Sequence, residues 1–203
     1  ELIDMDQTIV GKIKWNTTPF MKGMLGINHT GALIKMLGAL GENIAIDVKD
    51  AAGKNYAMKI SEGSTQATFM LADTTVIPAV PSINAEPEYQ VTIPVNEEFV
   101  SKFIKAKNAL PDAKNFAVQV INGQVKFIIN YTTVNADNIS FEVGPTNIDN
   151  MDPVCFSADK LKEVLVANRG DSGELKVSPD GLARIEFTGS DFESTYWLVM
   201  LQN

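Results

Sequence analysis

The feature that most constrains the fold is an order of elements that recurs along the chain: a strand, a helix and then three strands. The order is clearest near the C-terminus, where the short apolar run Val154–Phe156 leads into Ser157. Serine is a good helix N-cap, apolar residues follow at helical spacing, and Gly170 is a natural helix stop. Strand-like runs then follow at 174–178, 183–188 and 194–201.

The same order of elements occurs directly upstream. Residues 89–95 are strand-like, Asn96 is a good N-cap, and apolar residues at helical spacing predict a helix to about Ala109. The dipeptide Asn122-Gly123 strongly favours a tight hairpin turn. Strands are predicted at 116–121, 125–131 and 139–143.

A third copy of the order is predicted within residues 20–71. Its helix would begin at Asn28 or Thr30 and run to about Leu40, with Gly41 as the stop. Strands are predicted at 20–27, 43–49, 56–60 and 67–71. Three βαβββ repeats therefore fit the chain. Residues 1–15 would form a hairpin that breaks at 10–12, as the tail of a fourth repeat whose strand and helix are missing.

Residues 73–87 differ in character from the repeats. Pro78, Pro81 and Pro87 restrict the backbone to extended conformations and cannot join the interior of a sheet. We therefore expect an N-terminal domain at 1–72, a connector at 73–87 and a C-terminal domain at 88–203.

Composition limits the function classes. A formal net charge of −8 over 203 residues argues against a protein covered in basic patches, although local basic surfaces can still bind nucleic acid. The single cysteine, Cys155, excludes an internal disulfide and is expected to be an inert core residue. The longest apolar stretch is interrupted by charged residues and glycines, so no membrane span is predicted. The N-terminus resembles neither a signal nor a transit peptide, which favours an intracellular protein.

Three stretches, 156–165, 174–187 and 196–200, resemble a DNA polymerase sliding clamp. The similarity is to clamps of the T-even phage type and, more distantly, to proliferating cell nuclear antigen. It extends over about residues 20–203. The resemblance implies an α+β DNA-clamp fold, with repeated βαβββ units, sheets outside and helices on one face. It also implies a homotrimeric ring that encircles duplex DNA and tethers a replicative polymerase in the cytoplasm of a bacterial or phage-infected cell.

A clamp that slides needs helices whose outer faces attract phosphates without reading bases. Each of the three predicted helices carries a small net positive charge, whereas the rest of the chain is acidic. The residues expected to face DNA are Lys35, Lys102, Lys105, Lys160, Lys162 and Arg169. Lys107 falls on the apolar side of its helix and is expected to snorkel or to mark a frayed end. The alternative is a solvated face whose lysines only keep the protein soluble.

The connector and the C-terminal strand supply a second predicted site. In the clamp family, this region borders an apolar pocket that takes short tails of polymerases and clamp-loader subunits. The residues expected to form the pocket are Val76, Ile77, Val80, Ile83, Val199 and Leu201. The alternative is a connector that packs on the surface of its own domain.

Enzymatic functions find no support in the sequence. His29 is the only histidine and stands at a predicted helix cap. The pairs Asp4/Asp6 and Asn147/Asp149 lack the glycine and glutamate that complete a calcium loop, and no phosphate loop is present. We therefore expect no catalytic residue, no metal and no cofactor. The alternative to a clamp is a βαβββ-repeat interaction or structural module without DNA binding.

Overall fold

The computed structural model describes residues 1–16, 23–81, 83 and 85–201. The chain divides into two compact units. The large unit comprises residues 1–18 and 80–203, and the small unit comprises residues 19–79.

The large unit contains two helices and ten strands in its described residues. The helices are α2 (Glu97–Ala109) and α3 (Ala158–Ala167). The strands are β1 (Leu2–Ile3), β2 (Ile9–Trp15), β6 (Val91–Val95), β7 (Asn115–Ile121), β8 (Gln124–Ile129), β9 (Ile139–Pro145), β10 (Met151–Ser157), β11 (Ser172–Val177), β12 (Leu182–Thr188) and β13 (Phe192–Val199).

The two repeats of the large unit exchange their first strands. One sheet has the order β1-β2-β13-β12-β11-β6, and the other has the order β10-β7-β8-β9. Strand β6 therefore lies beside β11 of the second repeat, and β10 lies beside β7 of the first. Pro94 is tolerated in β6 because that strand is at the edge of its sheet. The exchange means that neither repeat completes its sheet alone.

The helices of the large unit begin where their caps predict. The Asn96 side chain accepts a hydrogen bond from the Phe99 backbone N–H at 2.9 Å, and Glu97 and Glu98 occupy the first turn. The Ser157 hydroxyl accepts from the Lys160 backbone N–H in the same way. Both predicted N-caps are thus confirmed.

The core of the large unit is built around aromatic side chains beneath the helices. Phe103 is fully buried, and its ring lies 5.6 Å from that of Phe116 and 6.5 Å from that of Phe127, in edge-to-face contacts. Phe156 and Leu161 are also fully buried. One continuous core therefore links both helices to both sheets.

Residues 1–15 are placed differently from the prediction. Strand β2 pairs antiparallel with β13 over its whole length, so this segment belongs to the large unit and not to a domain formed by residues 1–72. The turn between β1 and β2 lies near Asp4, whose carboxylate accepts from the backbone N–H groups of Thr8 and Ile9. Gly11, where a break was predicted, lies inside β2 because the absent side chain leaves room for Leu2.

The small unit holds a single repeat. It contains α1 (Thr30–Gly38), β3 (Ala45–Ala51), β4 (Lys54–Glu62) and β5 (Thr65–Met70), with the three strands in one sheet. Helix α1 starts after His29, which makes no side-chain cap hydrogen bond, and it ends at Gly38 instead of Leu40. Residues 20–22 of the predicted 20–27 strand lie outside the described residues. In the remainder, Gly26 forms a single bridge to Ala72.

Two equivalent backbone hydrogen bonds, one within each unit, support the repeat. The Ala72 N–H donates to the Gly26 carbonyl at 2.9 Å, and the Leu201 N–H donates to the Cys155 carbonyl at 2.9 Å. The donor and acceptor have the same separation in sequence in both pairs. The small unit therefore reproduces the second repeat of the large unit in its backbone pairing as well as its order of elements.

Candidate nucleic-acid and partner interfaces

Helices α2 and α3 lie side by side in the large unit and leave a groove of about 620 Å³ between them. Its apolar walls include Val100 and Ile104 of α2 and Leu165 of α3. Lys105 and Arg169 also line the groove. This helical surface thus combines apolar walls with two of the cations predicted to face DNA.

These two cations differ in their pairing from the other predicted cations of the large unit. Within the described residues, neither Lys105 nor Arg169 makes an ion pair, and both are exposed. Lys102 pairs with Glu98 at 2.7 Å one turn away on α2. Exposed pairs of this kind contribute little to stability, so an approaching phosphate can compete for Lys102.

The two lysines of α3 are engaged in contacts within the protein. The Lys162 ammonium donates to the Asn108 side-chain oxygen at 2.8 Å. Lys160 pairs with Asp4 at 3.2 Å and keeps only 26% of its side chain exposed. Burial would raise the pKa of Asp4, but hydrogen bonds from Thr8, Ile9 and Lys160 outweigh burial and lower it. Lys160 therefore helps to hold the N-terminal segment, unlike the free cations of the groove.

Lys35 completes the set of cations predicted to face DNA, and Lys107 was predicted to lie apart from it. Lys35 is exposed on α1 of the small unit. Lys107 is only 3% exposed, and its ammonium donates to the Pro111 carbonyl at 2.7 Å and pairs with Asp159 at 2.9 Å. Lys107 thus does not snorkel to solvent as expected, because a carbonyl and a carboxylate satisfy its charge inside the protein.

The second candidate site is a cavity of about 200 Å³ in the large unit, which we call the connector cavity. Val80, Pro81 and Ile83 form its connector side, and Val10 and Trp197 belong to β2 and β13. Trp197 lies opposite Val10 in the strand register, so both side chains point away from the core. The remaining lining residues are Glu1, Gly11 and Lys12.

Glu86 ties the connector to the sheet beside this cavity. Its carboxylate accepts a hydrogen bond from Trp197 Nε1 at 2.9 Å and another from Arg184 Nη1 at 2.9 Å. Burial would raise the pKa of Glu86, but the hydrogen bonds from Trp197 and Arg184 outweigh it and lower the pKa. The pKa of Tyr89 is raised, chiefly because the side chain is buried and next because it interacts with the Glu86 carboxylate. The Glu86 carboxylate is therefore ionised at neutral pH and is held by a guanidinium and an indole.

The architecture can be compared with known proteins. No protein-family model matches the sequence, and neither does any curated protein. Solved structures do match. A. fulgidus PCNA bound to the C-terminal region of FEN-1 aligns with a TM-score of 0.69 at 17% identity, over 98% of this chain and 83% of that chain. The PCNA2–PCNA3 complex from Sulfolobus tokodaii aligns with a TM-score of 0.68 at 9% identity, over the same shares.

The chain has the DNA-clamp fold. This confirms the predicted fold class, an α+β clamp built from βαβββ repeats. At these identities the similarity shows the fold alone. The structural neighbours are PCNA-type sliding clamps, and the narrower resemblance to the T-even phage type stays a prediction.

Within this DNA-clamp fold, the predicted pocket residues are only partly brought together. Val80 and Ile83 line the connector cavity, whereas Val199 and Leu201 are not among its lining residues. Val76 and Ile77 belong to the small unit. Sequence reasoning missed Trp197, although the alternation of β13 places it on the same face as Val199.

The described residues offer no cluster for metal chemistry and no reactive cysteine. In residues 1–16, 23–81, 83 and 85–201, no three His, Cys, Asp or Glu side chains come together to hold a metal ion. Among the helices that the structure describes, none is long and apolar enough to cross a membrane. Cys155 is buried, and burial raises the pKa of its thiol, which disfavours the reactive thiolate.

Proposed function

We propose that this protein is a non-enzymatic sliding clamp that encircles duplex DNA and tethers a replicative polymerase as its processivity factor. The DNA-clamp fold, matched over 98% of the chain, is the observation that supports it. The clamp would be a homotrimeric ring of the T-even phage type, acting in the cytoplasm of a bacterial or phage-infected cell. It would need no cofactor of its own, because ATP would be used by a separate clamp loader.

The internal repeat indicates how a ring would close. Strand β13 ends one repeat and pairs with β2, but β5 and β9, which also end repeats, each pair along one side only in the described residues. Unpaired strand edges are templates for pairing with another chain. We expect β5 of one copy to pair with β9 of the next, in the way that β13 pairs with β2.

Native mass spectrometry tests the ring. The proposal expects a species of three times the 22.1 kDa chain. A second measurement, sedimentation over a range of concentrations, would show whether the trimer persists on dilution. A chain that stays monomeric in both experiments contradicts the ring and favours a βαβββ-repeat interaction or structural module without DNA binding.

The helix cations predict a distinctive response to salt. Each phosphate that a protein neutralises adds about −0.9 to the slope of log affinity against log salt concentration. We expect Lys105→Gln and Arg169→Gln each to weaken binding to a duplex of random sequence and to make this slope shallower by about 0.9 per subunit. The measurement is fluorescence anisotropy of a labelled duplex at several salt concentrations.

Lys160→Gln is the matched control for this experiment. It removes the same charge from α3, but Lys160 is already paired with Asp4 at 3.2 Å. Its effect on the salt dependence should therefore be smaller than that of Arg169→Gln. Slopes for Lys105→Gln and Arg169→Gln that equal the slope of the parent protein would show that the groove cations do not contact phosphates.

The connector cavity is the proposed site for partner tails. A. fulgidus PCNA binds the C-terminal region of FEN-1, and by analogy a tail of a polymerase or clamp-loader subunit would bind this chain. The apolar side chains of Val80, Ile83 and Trp197 suit an apolar residue of such a tail. The small volume indicates that one or two side chains enter, with the rest of the tail lying along the connector.

A further inference from the structure

We propose that Glu86 is a positioning residue that holds the connector against the sheet and keeps Trp197 in place as a wall of the connector cavity. This role deepens the proposed use of the cavity for partner tails. The contacts that carry it nevertheless exist in the chain itself, whether or not a tail binds.

The first support is the geometry of the carboxylate. One oxygen of Glu86 accepts from Trp197 Nε1 at 2.9 Å, and the other accepts from Arg184 Nη1 at 2.9 Å. Arg184 and Trp197 are directly opposite each other on β12 and β13. A single carboxylate therefore spans two neighbouring strands, and both donors are held at a fixed spacing by the sheet ladder.

The second support is what the anchor restrains. An indole N–H is only a donor, so the carboxylate fixes the orientation of the Trp197 ring that lines the cavity. Ile83 lies three residues before Glu86 and is therefore within about 11 Å of the anchor along the chain. Pro87 follows directly and stiffens the backbone on the other side. Fixing Glu86 thus restrains both walls of the cavity.

The third support is that the sheet does not depend on Glu86. Arg184 also pairs with Glu186 on its own strand, and Lys176 pairs with Glu186 at 3.4 Å and with Glu174 at 3.4 Å. Arg184 would therefore keep a carboxylate partner if Glu86 were neutralised. Trp197 has no second acceptor among the described residues. Loss of Glu86 should free the connector and the indole while leaving β12 and β13 paired.

The experiment uses the full chain with Trp15→Phe, so that Trp197 is the only tryptophan. Phenylalanine retains an aromatic contact to Phe192, which Trp15 makes at 5.7 Å. Acrylamide quenching reports the accessibility of Trp197, and hydrogen exchange reports opening of residues 80–90. We expect Glu86→Ala to raise the quenching constant about two-fold or more and to speed exchange in the connector, with Glu86→Gln between it and the parent.

Glu88→Ala and Glu88→Gln are the matched controls, because Glu88 is exposed, lies on the same segment and makes no ion pair within the described residues. They should leave quenching and exchange unchanged. If Glu86→Ala behaves like Glu88→Ala, Glu86 does not position the connector. If it instead lowers the thermal midpoint of the large unit in step with quenching, its role is general stability and the proposal is overturned.

These measurements need neither DNA nor a partner. They therefore stay informative if the protein fails to form a ring. Conversely, a trimer that binds DNA with Trp197 unaffected by Glu86→Ala would leave the clamp proposal intact and refute the role of Glu86.

Discussion

The large and small units are built from the same repeat, but they bury it to different extents. In the large unit, Phe103 of α2 and Leu161 of α3 are fully buried over two sheets that have exchanged strands. In the small unit, α1 has no buried residue, and the buried apolar side chains among the described residues are those of Ala57, Met58, Ile60 and Phe69. Two repeats close a core, whereas one repeat leaves its helix partly covered. The difference follows from the number of repeats, because each repeat supplies only one helix to cover its strands.

The helix ends show the same contrast. Helix α2 has a side-chain cap from Asn96 and two acidic residues in its first turn. Helix α1 has neither a side-chain cap bond at His29 nor an acidic residue in its first turn. The small unit therefore lacks both the packing and the local devices that stabilise α2, and its stability should be the lower of the two.

Removing an aromatic ring from the large core should have the largest effect. Phe103→Ala deletes a side chain that touches three other phenylalanine rings and is fully buried. We expect it to destabilise the large unit by about 3–5 kcal/mol. Chemical denaturation followed by near-UV circular dichroism, which reports the aromatic core, measures the change.

Leu33→Ala on α1 is the counterpart in the small unit. Because Leu33 is only partly buried, its loss should cost less, about 1–2 kcal/mol. A cost as large as that of Phe103→Ala would mean that α1 is as well packed as α2, which would contradict the difference in burial between the two units.

The caps should give intermediate effects of opposite sign. Asn96→Ala removes the bond to the Phe99 N–H and should destabilise the large unit by about 1 kcal/mol. His29→Asn supplies an acceptor where α1 has none and should stabilise the small unit by about 0.5 kcal/mol. Thermal denaturation of both variants beside the parent protein tests the pair. Destabilisation by His29→Asn would show that the backbone at residue 29 does not permit a cap.

The smallest effect concerns the pH dependence of the small unit. Hydrogen bonds lower the pKa of Asp73 from 3.8 to about 2. The Thr75 backbone N–H has the largest effect, the Thr75 hydroxyl has the next largest and Lys54 has the third. Because the folded-state pKa is the lower one, the stabilisation is fully present above pH 3.8 and is lost as the pH falls through about 2. The energy involved is small because the group is exposed to solvent.

An NMR titration of the Asp73 carboxyl group measures this pKa directly. Thr75→Val removes the hydroxyl but keeps the backbone N–H, which is the largest cause. The pKa in the variant should rise and still remain below 3.8. A return to the ordinary value would assign the whole effect to the hydroxyl.

Local signals in the sequence predicted much of this fold. Asn96 and Ser157 could be predicted as N-caps because each side-chain oxygen accepts a hydrogen bond from a backbone N–H only three residues further along the chain. The dipeptide Asn122-Gly123 marked the β7–β8 hairpin because both of its residues have positive φ. The pairing of β2 with β13 was not predictable in this way, since it joins opposite ends of the chain.

In the candidate site, too, local sequence patterns predicted some features and not others. Helical spacing placed Lys105 on the exposed face of α2, because that face follows from a period of 3.6 residues. It could not reveal that Lys160 is paired with Asp4, or that Trp197 is held by Glu86. Both contacts depend on where the N-terminal segment and the connector lie in the folded protein. Neither contact produces a periodic pattern in the sequence.

The pairing of β2 with β13 has a consequence for synthesis of the protein on the ribosome. Strand Ile9–Trp15 is translated well before its partner Phe192–Val199, because the small unit and both helices of the large unit lie between them in sequence. One edge of β2 must therefore stay unpaired while the intervening segments are made, a state in which nascent chains are prone to aggregate and to engage chaperones. Closure of this sheet cannot precede the synthesis of β13, so it should be a late step in the folding of the large unit.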